Sequence, residues 1–238
     1  MQKLRAAVLG ASGYTGADLV RLLARHPQVE IVLLTAERRA GESMADVFPN
    51  FAPLDLPDLI ALSDVEWPAL DVDVVFCALP HATTQNVIKG LCHDVNHSLL
   101  EELVAEGQDD LSARAPEGIR VIDLSADFRL RDAGVYAEWY GGTHDAVNLQ
   151  KKAVYGLSEM NRDAVKNALL VACPGCYPTA TLLAVLPLVA EKLLGLKSLI
   201  IDAKSGISGA GRALKDSNLY CEVADCVVPY GLTRACRL

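Results

Sequence analysis

Short apolar runs alternate with longer segments of helical periodicity along the chain, and this alternation predicts its elements. Residues 16–25 place leucine and valine side chains at helical spacing, which indicates an amphipathic helix. The runs that predict β-strands cover residues 5–9, 30–35, 72–79 and 121–124. The third of these runs is almost continuously apolar, as in strands whose two faces are both covered. The alternation is typical of α/β proteins with a parallel sheet.

The pattern also predicts two domains. Residues 1–153 are expected to form a nucleotide-binding α/β domain. Residues 92–118 look like an acidic insertion in it, with a short amphipathic stretch at 99–105, and we expect most of this insertion to lie on the surface. Residues 154–238 are expected to begin a second domain. Its predicted helix, strand and glycine-rich loop occupy residues 177–194, 199–203 and 205–212.

Composition narrows the class of protein. The formal charge of the 238-residue chain is −8, and the lack of a basic run argues against binding to nucleic acid. The longest apolar run, residues 180–190, contains Pro187 and is shorter than the ~20 residues that span a bilayer. Seven cysteines without a signal-peptide pattern suggest reduced thiols. We therefore expect a cytoplasmic protein with no nucleic-acid, membrane or metal site.

The first candidate site is the glycine-rich turn between the first predicted strand and helix. Glycines in such a turn let the backbone approach a pyrophosphate, whose charge is met by the free amides of the helix start. The cofactor-binding residues predicted here are Gly10, Ser12, Gly13, Tyr14, Thr15 and Gly16. A simple tight turn is the alternative, but the strand–turn–helix context favours a nucleotide site.

The end of the second predicted strand indicates which dinucleotide binds. Glu37 is followed there by Arg38 and Arg39. An acidic residue at this place holds the ribose hydroxyls of NAD, whereas an arginine favours the 2′-phosphate of NADP. Both types are present, and the paired arginines favour NADP(H), with Arg38 and Arg39 as its ligands.

The second candidate site is a cysteine-containing string, Cys173-Pro174-Gly175-Cys176-Tyr177-Pro178-Thr179. Proline is tolerated in the first turn of a helix, so Pro178 places Cys176 at or just before a helix amino terminus. The positive end of the helix dipole favours a thiolate there, which can attack an acyl carbon and form a thioester. Two alternatives stay open. Cys173 and Cys176 form a C-x-x-C redox pair, or Cys176 is buried and unreactive.

A third candidate site follows the last predicted strand. Residues 205–212 run Ser-Gly-Ile-Ser-Gly-Ala-Gly-Arg. Small residues with free amides and a terminal arginine suit a phosphate or the nicotinamide end of a cofactor. Ser208 and Gly209 are therefore candidates for cofactor binding, and Arg212 is a candidate for phosphate binding. A flexible surface loop is the alternative.

These motifs, in this order, resemble those of the N-acetyl-gamma-glutamyl-phosphate reductases, relatives of aspartate-semialdehyde dehydrogenase. The resemblance extends from residue 6 to about residue 234. Besides the turn at 10–16 and the loop at 205–212, the matching strings are Ala-Leu-Pro-His at 78–81, Asp-Leu-Ser-Ala-Asp-Phe-Arg at 123–129, Val-Tyr-Gly-Leu at 154–157 and Pro-Gly-Cys-Tyr-Pro-Thr at 174–179. Tyr14 and the last of these strings distinguish the family from aspartate-semialdehyde dehydrogenase.

The resemblance implies a Rossmann-type, doubly wound domain followed by an α+β catalytic and dimerisation domain, in a homo-oligomer. It implies an NADPH-dependent reduction of the acyl phosphate N-acetyl-gamma-glutamyl phosphate to N-acetylglutamate 5-semialdehyde, in arginine biosynthesis. Cys176 would expel phosphate and form a thioester, which NADPH would reduce. The longer N-acyl-aminoadipyl phosphate of lysine biosynthesis stays open as an alternative substrate.

Further side chains extend the candidate site. Candidates for phosphate or carboxylate contacts are Ser125, Arg129, Ser208 and Arg212. A structural ion pair is the alternative for Arg129. His81 follows a predicted strand at its carboxyl end, where ligands of parallel sheets bind, so it is a cofactor ligand or a hydrogen-bonded loop histidine. His144 is expected to be structural or to lie on the surface.

Three features depart from the family pattern, and one is the insertion at residues 92–118. Cys173 stands where the family often has asparagine. After Tyr230-Gly231-Leu232-Thr233-Arg234 the family continues into a His-Arg-His segment that supplies the general acid/base, whereas this sequence ends at Leu238. From this ending we expect a truncated form with impaired turnover, or a non-catalytic NADP-binding protein.

Overall fold

The computed structural model describes residues 2–95, 118–195, 197 and 199–228. The chain divides into two compact units, Met1–Pro174 and Gly175–Leu238. The amphipathic stretch expected at 99–105 lies outside the described residues. Among the described helices, none combines the length and the hydrophobicity that a membrane span requires.

The first unit is built on a parallel β-sheet. Its strands are β1 (Leu4–Leu9), β2 (Val29–Thr35), β3 (Leu59–Ile60), β4 (Val74–Cys77), β5 (Arg120–Asp123), β6 (Val154–Tyr155) and β7 (Leu170–Ala172). They lie in the order β3-β2-β1-β4-β5-β7-β6, and the neighbouring strands pair in parallel. This sheet confirms the α/β, doubly wound fold. The four strands predicted from the apolar runs are β1, β2, β4 and β5.

Helices connect the strands of this unit. They are α1 (Tyr14–Leu23), α2 (Met44–Val47), α3 (Thr84–Val95), α4 (Ala133–Tyr140), α5 (Val147–Lys152) and α6 (Ser158–Asn167). The helix predicted at 16–25 is α1, which begins and ends slightly earlier. It begins at Tyr14 because Gly13 has an extended backbone, with φ −81° and ψ 165°, and serves as the N-cap.

The sheet has an apolar cluster on each face, which explains the continuous apolar runs. The inner residues of β1 are fully buried. Side chains alternate between the two faces along a strand. Accordingly, Ala7 and Leu9 pack in one cluster with Val75, whereas Val8 packs in the other with Leu34.

β1 lies between β2 and β4, where the order of the strands reverses. In doubly wound sheets, ligands bind at the carboxyl ends of the strands beside such a reversal. The turn after β1 and the loop after β4 meet at this edge, where the backbone N–H of Ala78 donates to the carbonyl oxygen of Leu9 over 2.9 Å. The fold therefore places the glycine-rich turn at the expected ligand edge.

The first unit extends past residue 153, where we expected the domain boundary. β7 pairs with both β5 and β6, so residues 154–174 complete the same sheet. The division after Pro174 falls inside the cysteine-containing string. The two-residue β6 carries too little periodicity to be recognised in the sequence.

The second unit begins with α7 (Cys176–Ala190) and contains the short α8 (Tyr220–Val223). The helix predicted at 177–194 thus ends earlier than expected. Lys192 is left-handed, with φ 57°, and the N–H of Leu193 donates to the carbonyl oxygen of Leu188 over 2.8 Å. A left-handed residue with this hydrogen bond is a common helix ending.

The strand predicted at 199–203 is not formed. A strand needs a neighbour to satisfy its backbone hydrogen bonds, and the second unit, as far as it is described, contains no strand. The apolar run there is exposed, with Ile200 at 90 %. The glycine-rich loop that follows contains a short 3-10 helix, Ile207–Ala210.

Candidate functional site

The turn after β1 requires glycine at its first and last positions. Gly10 has a φ of +80°, a left-handed conformation that glycine adopts without strain, and a Cβ there would lie 2.5 Å from the carbonyl oxygen of Ala78. A Cβ at Gly16 would lie 2.3 Å from the carbonyl oxygen of Gly10. At Gly13 the nearest atom would be 3.5 Å away, an ordinary contact. The turn is therefore packed closely against α1 and against the loop after β4.

The start of α1 is suited to the binding of an anion. Among the described residues, no side chain caps this helix and no acidic residue lies in its first turn. Backbone amides at such a helix start attract phosphate groups. Ser12 is half-buried, whereas Tyr14 and Thr15 are exposed. The residues of the turn thus fit the pyrophosphate of a dinucleotide.

The carboxyl end of β2 distinguishes the two arginines that follow it. Arg39 forms an ion pair with Glu42 at 2.9 Å. The carboxylate of Glu37 accepts the backbone N–H of Leu62 over 3.2 Å. Within the described part of the chain, Arg38 forms neither an ion pair nor a side-chain hydrogen bond. Arg38 is therefore the better placed of the two for a further phosphate.

His81 lies in the loop after β4 and is exposed. Its Nδ1 accepts the backbone N–H of Ala126 over 3.0 Å, so a neutral His81 carries its proton on Nε2. The centroids of the His81 and Tyr140 rings lie 6.4 Å apart. Because Ala78 of the same loop packs against Gly10, the structure brings the loop of His81 to the border of the glycine-rich turn.

Ser125 is only 1 % exposed, and its expected contact with phosphate stays a prediction. Its hydroxyl donates to Oδ2 of Asp123 over 2.8 Å and accepts the backbone N–H of Asp127 over 3.1 Å. The hydroxyl is thus already engaged inside the protein, as a donor and as an acceptor. Ser125 supports the loop after β5.

Sequence reasoning does not identify two buried carboxylates here, Asp123 at the end of β5 and Asp127 in the loop that follows. Burial raises the pKa of Asp123 to about 6, although the hydrogen bonds from Ser125 oppose the shift. Asp127 is fully buried. Its two oxygens accept hydrogen bonds from the backbone N–H groups of Ala82 and Gln85 and from the hydroxyl of Tyr136. The alternation of polar side chains directly after a buried strand is the pattern that could have indicated them.

His144 has the structural role, one of the two that we expected. It is 6 % exposed. Its Nδ1 accepts the backbone N–H of Ala146 over 3.1 Å, so Nε2 carries the proton and donates to the carbonyl oxygen of Asp127 over 2.8 Å. Burial lowers the pKa of His144, although the hydrogen bond to Asp127 opposes the shift. The neutral ring therefore stabilises the loop after β5 through its hydrogen bond to Asp127.

Arg129 binds two backbone carbonyl groups. Its Nε donates to the oxygen of Cys173 over 2.7 Å, and Nη2 donates to the oxygen of Leu124 over 3.0 Å. These contacts join the carboxyl ends of β5 and β7. Within the described part of the chain, Arg129 forms no ion pair, so nothing there supports the structural ion pair that we considered as its alternative. Its positive charge remains at the ligand edge of the sheet.

The two cysteines of the 173–179 string lie in different surroundings. Cys173 follows β7, and burial raises the pKa of its thiol to about 11. Cys176 is exposed and is the first residue of α7. Among the described residues, no side chain caps α7 and no acidic residue lies in its first turn. The exposure of Cys176 argues against the buried, unreactive alternative.

The predicted residues of the glycine-rich loop lie in the second unit. Ser208, Gly209 and Arg212 are all exposed. Cys176 and Ser205, the first residue of this loop, line one depression with a volume of about 410 Å³ between α7 and residues 199–205. Within the second unit, the structure thus brings the candidate nucleophile and the start of the loop together.

Two family models match the chain. One, described as semialdehyde dehydrogenase, NAD binding domain, matches residues 5–97 and 104–168. The other, described as semialdehyde dehydrogenase, dimerisation domain, matches residues 176–235. The gap in the first match lies within the predicted insertion.

Curated proteins with similar sequences are N-acetyl-gamma-glutamyl-phosphate reductases. The chain is 53 % identical over 231 residues to the protein of that name from Afipia carboxidovorans. The matched stretch covers 97 % of this chain and 60 % of the relative. It is 50 % identical over 231 residues to a probable chloroplastic N-acetyl-gamma-glutamyl-phosphate reductase of Oryza sativa subsp. japonica, with 97 % of this chain and 49 % of the relative covered. The chain thus spans about half to three-fifths of the length of these relatives.

Among solved structures, the chain is similar to aspartate semialdehyde dehydrogenase II from Vibrio cholerae. The two chains superpose with a TM-score of 0.46 at 18 % sequence identity. The superposition covers 79 % of this chain and 47 % of the other.

Proposed function

Because the chain belongs to the semialdehyde dehydrogenase family, we propose that it carries the NADP site and the nucleophile of an acyl-phosphate reductase. The proposed reaction is the reduction of N-acetyl-gamma-glutamyl phosphate to N-acetylglutamate 5-semialdehyde with release of phosphate, in arginine biosynthesis. The names of the similar curated proteins support this substrate. The observation that carries the proposal is the exposed thiol of Cys176 at the first position of α7.

Cys176 supplies the covalent chemistry. A helix start favours the thiolate form of a cysteine because the positive end of the helix dipole lies there. The thiolate attacks the acyl carbon, the bond to the phosphate oxygen breaks, and inorganic phosphate leaves with that electron pair. The product is a thioester on Cys176. After reduction, the thiohemiacetal collapses to the aldehyde and returns the thiolate.

The turn after β1 holds the cofactor in this proposal. The residues of the turn at 10–16 and the start of α1 receive the pyrophosphate, and Arg38 receives the 2′-phosphate that distinguishes NADP from NAD. Arg39 is a weaker candidate, since Glu42 already pairs with it. Bound NADPH would supply the hydride that reduces the thioester. His81, Ser208 and Gly209 are proposed to line the nicotinamide end.

Two arginines are proposed to bind the anionic groups of the substrate. Arg129 lies at the carboxyl edge of the sheet, where two of its N–H groups bind backbone carbonyl oxygens. Its remaining N–H groups can donate to a phosphate or carboxylate oxygen. Arg212, on the exposed loop of the second unit, is the other candidate. The match to a dimerisation domain supports a homo-oligomer.

Mass spectrometry of the chain after incubation with N-acetyl-gamma-glutamyl phosphate tests the nucleophile without requiring turnover. We expect an acyl adduct on Cys176, absent in Cys176→Ser and retained in Cys173→Ser. Addition of NADPH should remove the adduct and release the semialdehyde. An adduct that forms equally well in Cys176→Ser would refute the proposal, and so would a lack of any adduct on the folded chain. An adduct that NADPH leaves in place would refute its reductase part alone.

A further inference from the structure

Asp127 connects the loop after β5 to the loop after β4. Its side chain is fully buried. Oδ1 accepts the backbone N–H of Ala82 over 2.8 Å, and Oδ2 accepts the backbone N–H of Gln85 over 3.3 Å. Gln85 lies in the first turn of α3, where a capping side chain normally comes from a residue next to the helix. Here the acceptor comes from a distant part of the sequence.

Ala82 is held in an unfavourable backbone conformation. Its φ is 66°, in the left-handed region where the Cβ of an L-residue crowds the backbone. Asparagine and aspartate adopt this region more readily because their side chains bond locally, which alanine cannot do. The hydrogen bond from the Ala82 N–H to Asp127 therefore helps to maintain a conformation that the sequence disfavours.

The same loop borders the glycine-rich turn. A Cβ at Gly10 would lie 2.5 Å from the carbonyl oxygen of Ala78 and 3.4 Å from Cδ2 of Leu79. The backbone N–H of Ala78 also bonds to Leu9, the residue before Gly10. The proposed cofactor cleft lies between this loop and the glycine-rich turn. A change in the backbone conformation of Ala82 would therefore alter one side of the cleft.

We infer that Asp127 is a positioning residue of the cofactor cleft, which holds Ala82 left-handed and so fixes the loop after β4 opposite the glycine-rich turn. The inference rests on the proposed function, because the dinucleotide is the proposed ligand. Asp127 is buried and acts through Ala82. The hydroxyl of Tyr136 donates to Oδ1 over 3.1 Å and accepts from Nε2 of Gln85 over 2.7 Å, which orients the carboxylate.

A rescue experiment separates this role from general stability. Asp127→Ala should weaken NADPH binding, measured by calorimetric titration, by roughly tenfold, because the left-handed conformation loses its support. Adding Ala82→Gly should restore the affinity to within roughly threefold of the parent, since glycine adopts a positive φ without cost. Asp132→Asn is the matched control. Asp132 caps α4 by accepting the N–H groups of Gly134 and Val135, and its substitution should leave the affinity within about threefold.

The inference is overturned if Ala82→Gly fails to restore binding, or if Asp132→Asn weakens it as much as Asp127→Ala does. If Asp127→Ala does not fold, Asp127→Asn replaces it, because an amide NH₂ must then face one of the two N–H donors. Hydrogen exchange of the Ala82 amide is a second measurement that needs no cofactor. It should accelerate at least about tenfold when Asp127 is replaced, and an unchanged rate also overturns the inference.

These two measurements distinguish the inference from the proposed function. A parent chain that folds but does not bind NADPH contradicts the proposed cofactor, and with it the cleft that Asp127 is inferred to shape. The exchange rate of the Ala82 amide still reports whether Asp127 holds the loop. Normal binding by the parent, together with unchanged binding by Asp127→Ala, contradicts the inference alone.

Discussion

The side chain of Arg129 donates from Nε to the backbone carbonyl oxygen of Cys173 over 2.7 Å. A second bond, from Nη2 to the carbonyl oxygen of Leu124, lets one planar guanidinium join the ends of two strands. A lysine ammonium lacks this fork of donors. The two contacts let Arg129 hold Cys173, the first residue of the 173–179 string, next to the end of β5.

Arg129→Lys should therefore lower the free energy of unfolding by about 1–3 kcal/mol, because one part-buried carbonyl loses its donor. Urea denaturation measures the change. Arg120→Lys is the matched control, since Arg120 also donates to a carbonyl, that of Lys166, but at an exposed position. We expect less than about 1 kcal/mol there. Equal losses in the two variants would contradict the role of Arg129.

Alkylation should distinguish the two cysteines of the string. With the pKa of Cys173 raised to about 11 by burial, its thiol stays protonated at about pH 8. Cys176 is exposed. Iodoacetamide at that pH should modify Cys176 at least about tenfold faster than Cys173, as measured by peptide mass spectrometry over time. Faster labelling of Cys173 would contradict the assigned surroundings.

Arg38→Gln should weaken the binding of NADPH by roughly 10–100-fold, because a charge-assisted bond to the 2′-phosphate is lost. Binding of NADH, which lacks that phosphate, should change little. Arg39→Gln should have a smaller effect, since Arg39 is already paired with Glu42. Fluorescence titration with both cofactors measures the ratio. An equal loss for NADH and NADPH would show that Arg38 does not recognise the 2′-phosphate.

The loss of stability on replacing each glycine of the turn with alanine should depend on the space around that glycine. Gly16→Ala places a Cβ 2.3 Å from the Gly10 oxygen and 2.7 Å from Cα of Ala11, both backbone atoms. We expect a loss of about 1–3 kcal/mol in the free energy of unfolding, together with weaker NADPH binding. Gly13→Ala meets only an ordinary contact at 3.5 Å and should cost less than about 1 kcal/mol. Thermal denaturation of the two variants provides the comparison, and the reverse order would contradict the packing of the turn.

Stability should depend on pH through Asp123. Burial raises its pKa from 3.8 to about 6, so the folded chain binds this proton more tightly than the unfolded chain does. The resulting stabilisation is fully present below pH 3.8 and is lost as the pH rises through about 6. A shift of this size corresponds to about 3 kcal/mol.

The test compares the parent with Asp123→Asn by urea denaturation. The free energy of unfolding of the parent minus that of Asp123→Asn should fall by about 2–2.5 kcal/mol between about pH 4 and about pH 7. The comparison also cancels the contribution of His144. Because burial lowers the pKa of His144 below 6.5, that contribution is present above pH 6.5 and is lost as the pH falls. A difference that does not change with pH would contradict the burial of a charged Asp123.

Local patterns in the sequence were sufficient to predict the structure at the centre of the first unit. The strand–turn–helix unit of β1, the glycine-rich turn and α1 follows from a short apolar run, glycine spacing and helical periodicity. These features depend on neighbours along the chain. Cys176 at a helix start follows similarly from the nearby prolines and glycine.

The tertiary structure alone decided features that depend on distant partners. Ser125 is of a residue type that often binds phosphate. Its hydroxyl bonds instead to Asp123 and Asp127, because the loop after β5 folds inward. Asp127 caps a helix that starts more than 40 residues earlier. The two-residue β6 exists only because β7 pairs with it. Burial and hydrogen bonding between segments far apart in sequence leave no local periodicity, so the sequence by itself could not determine them.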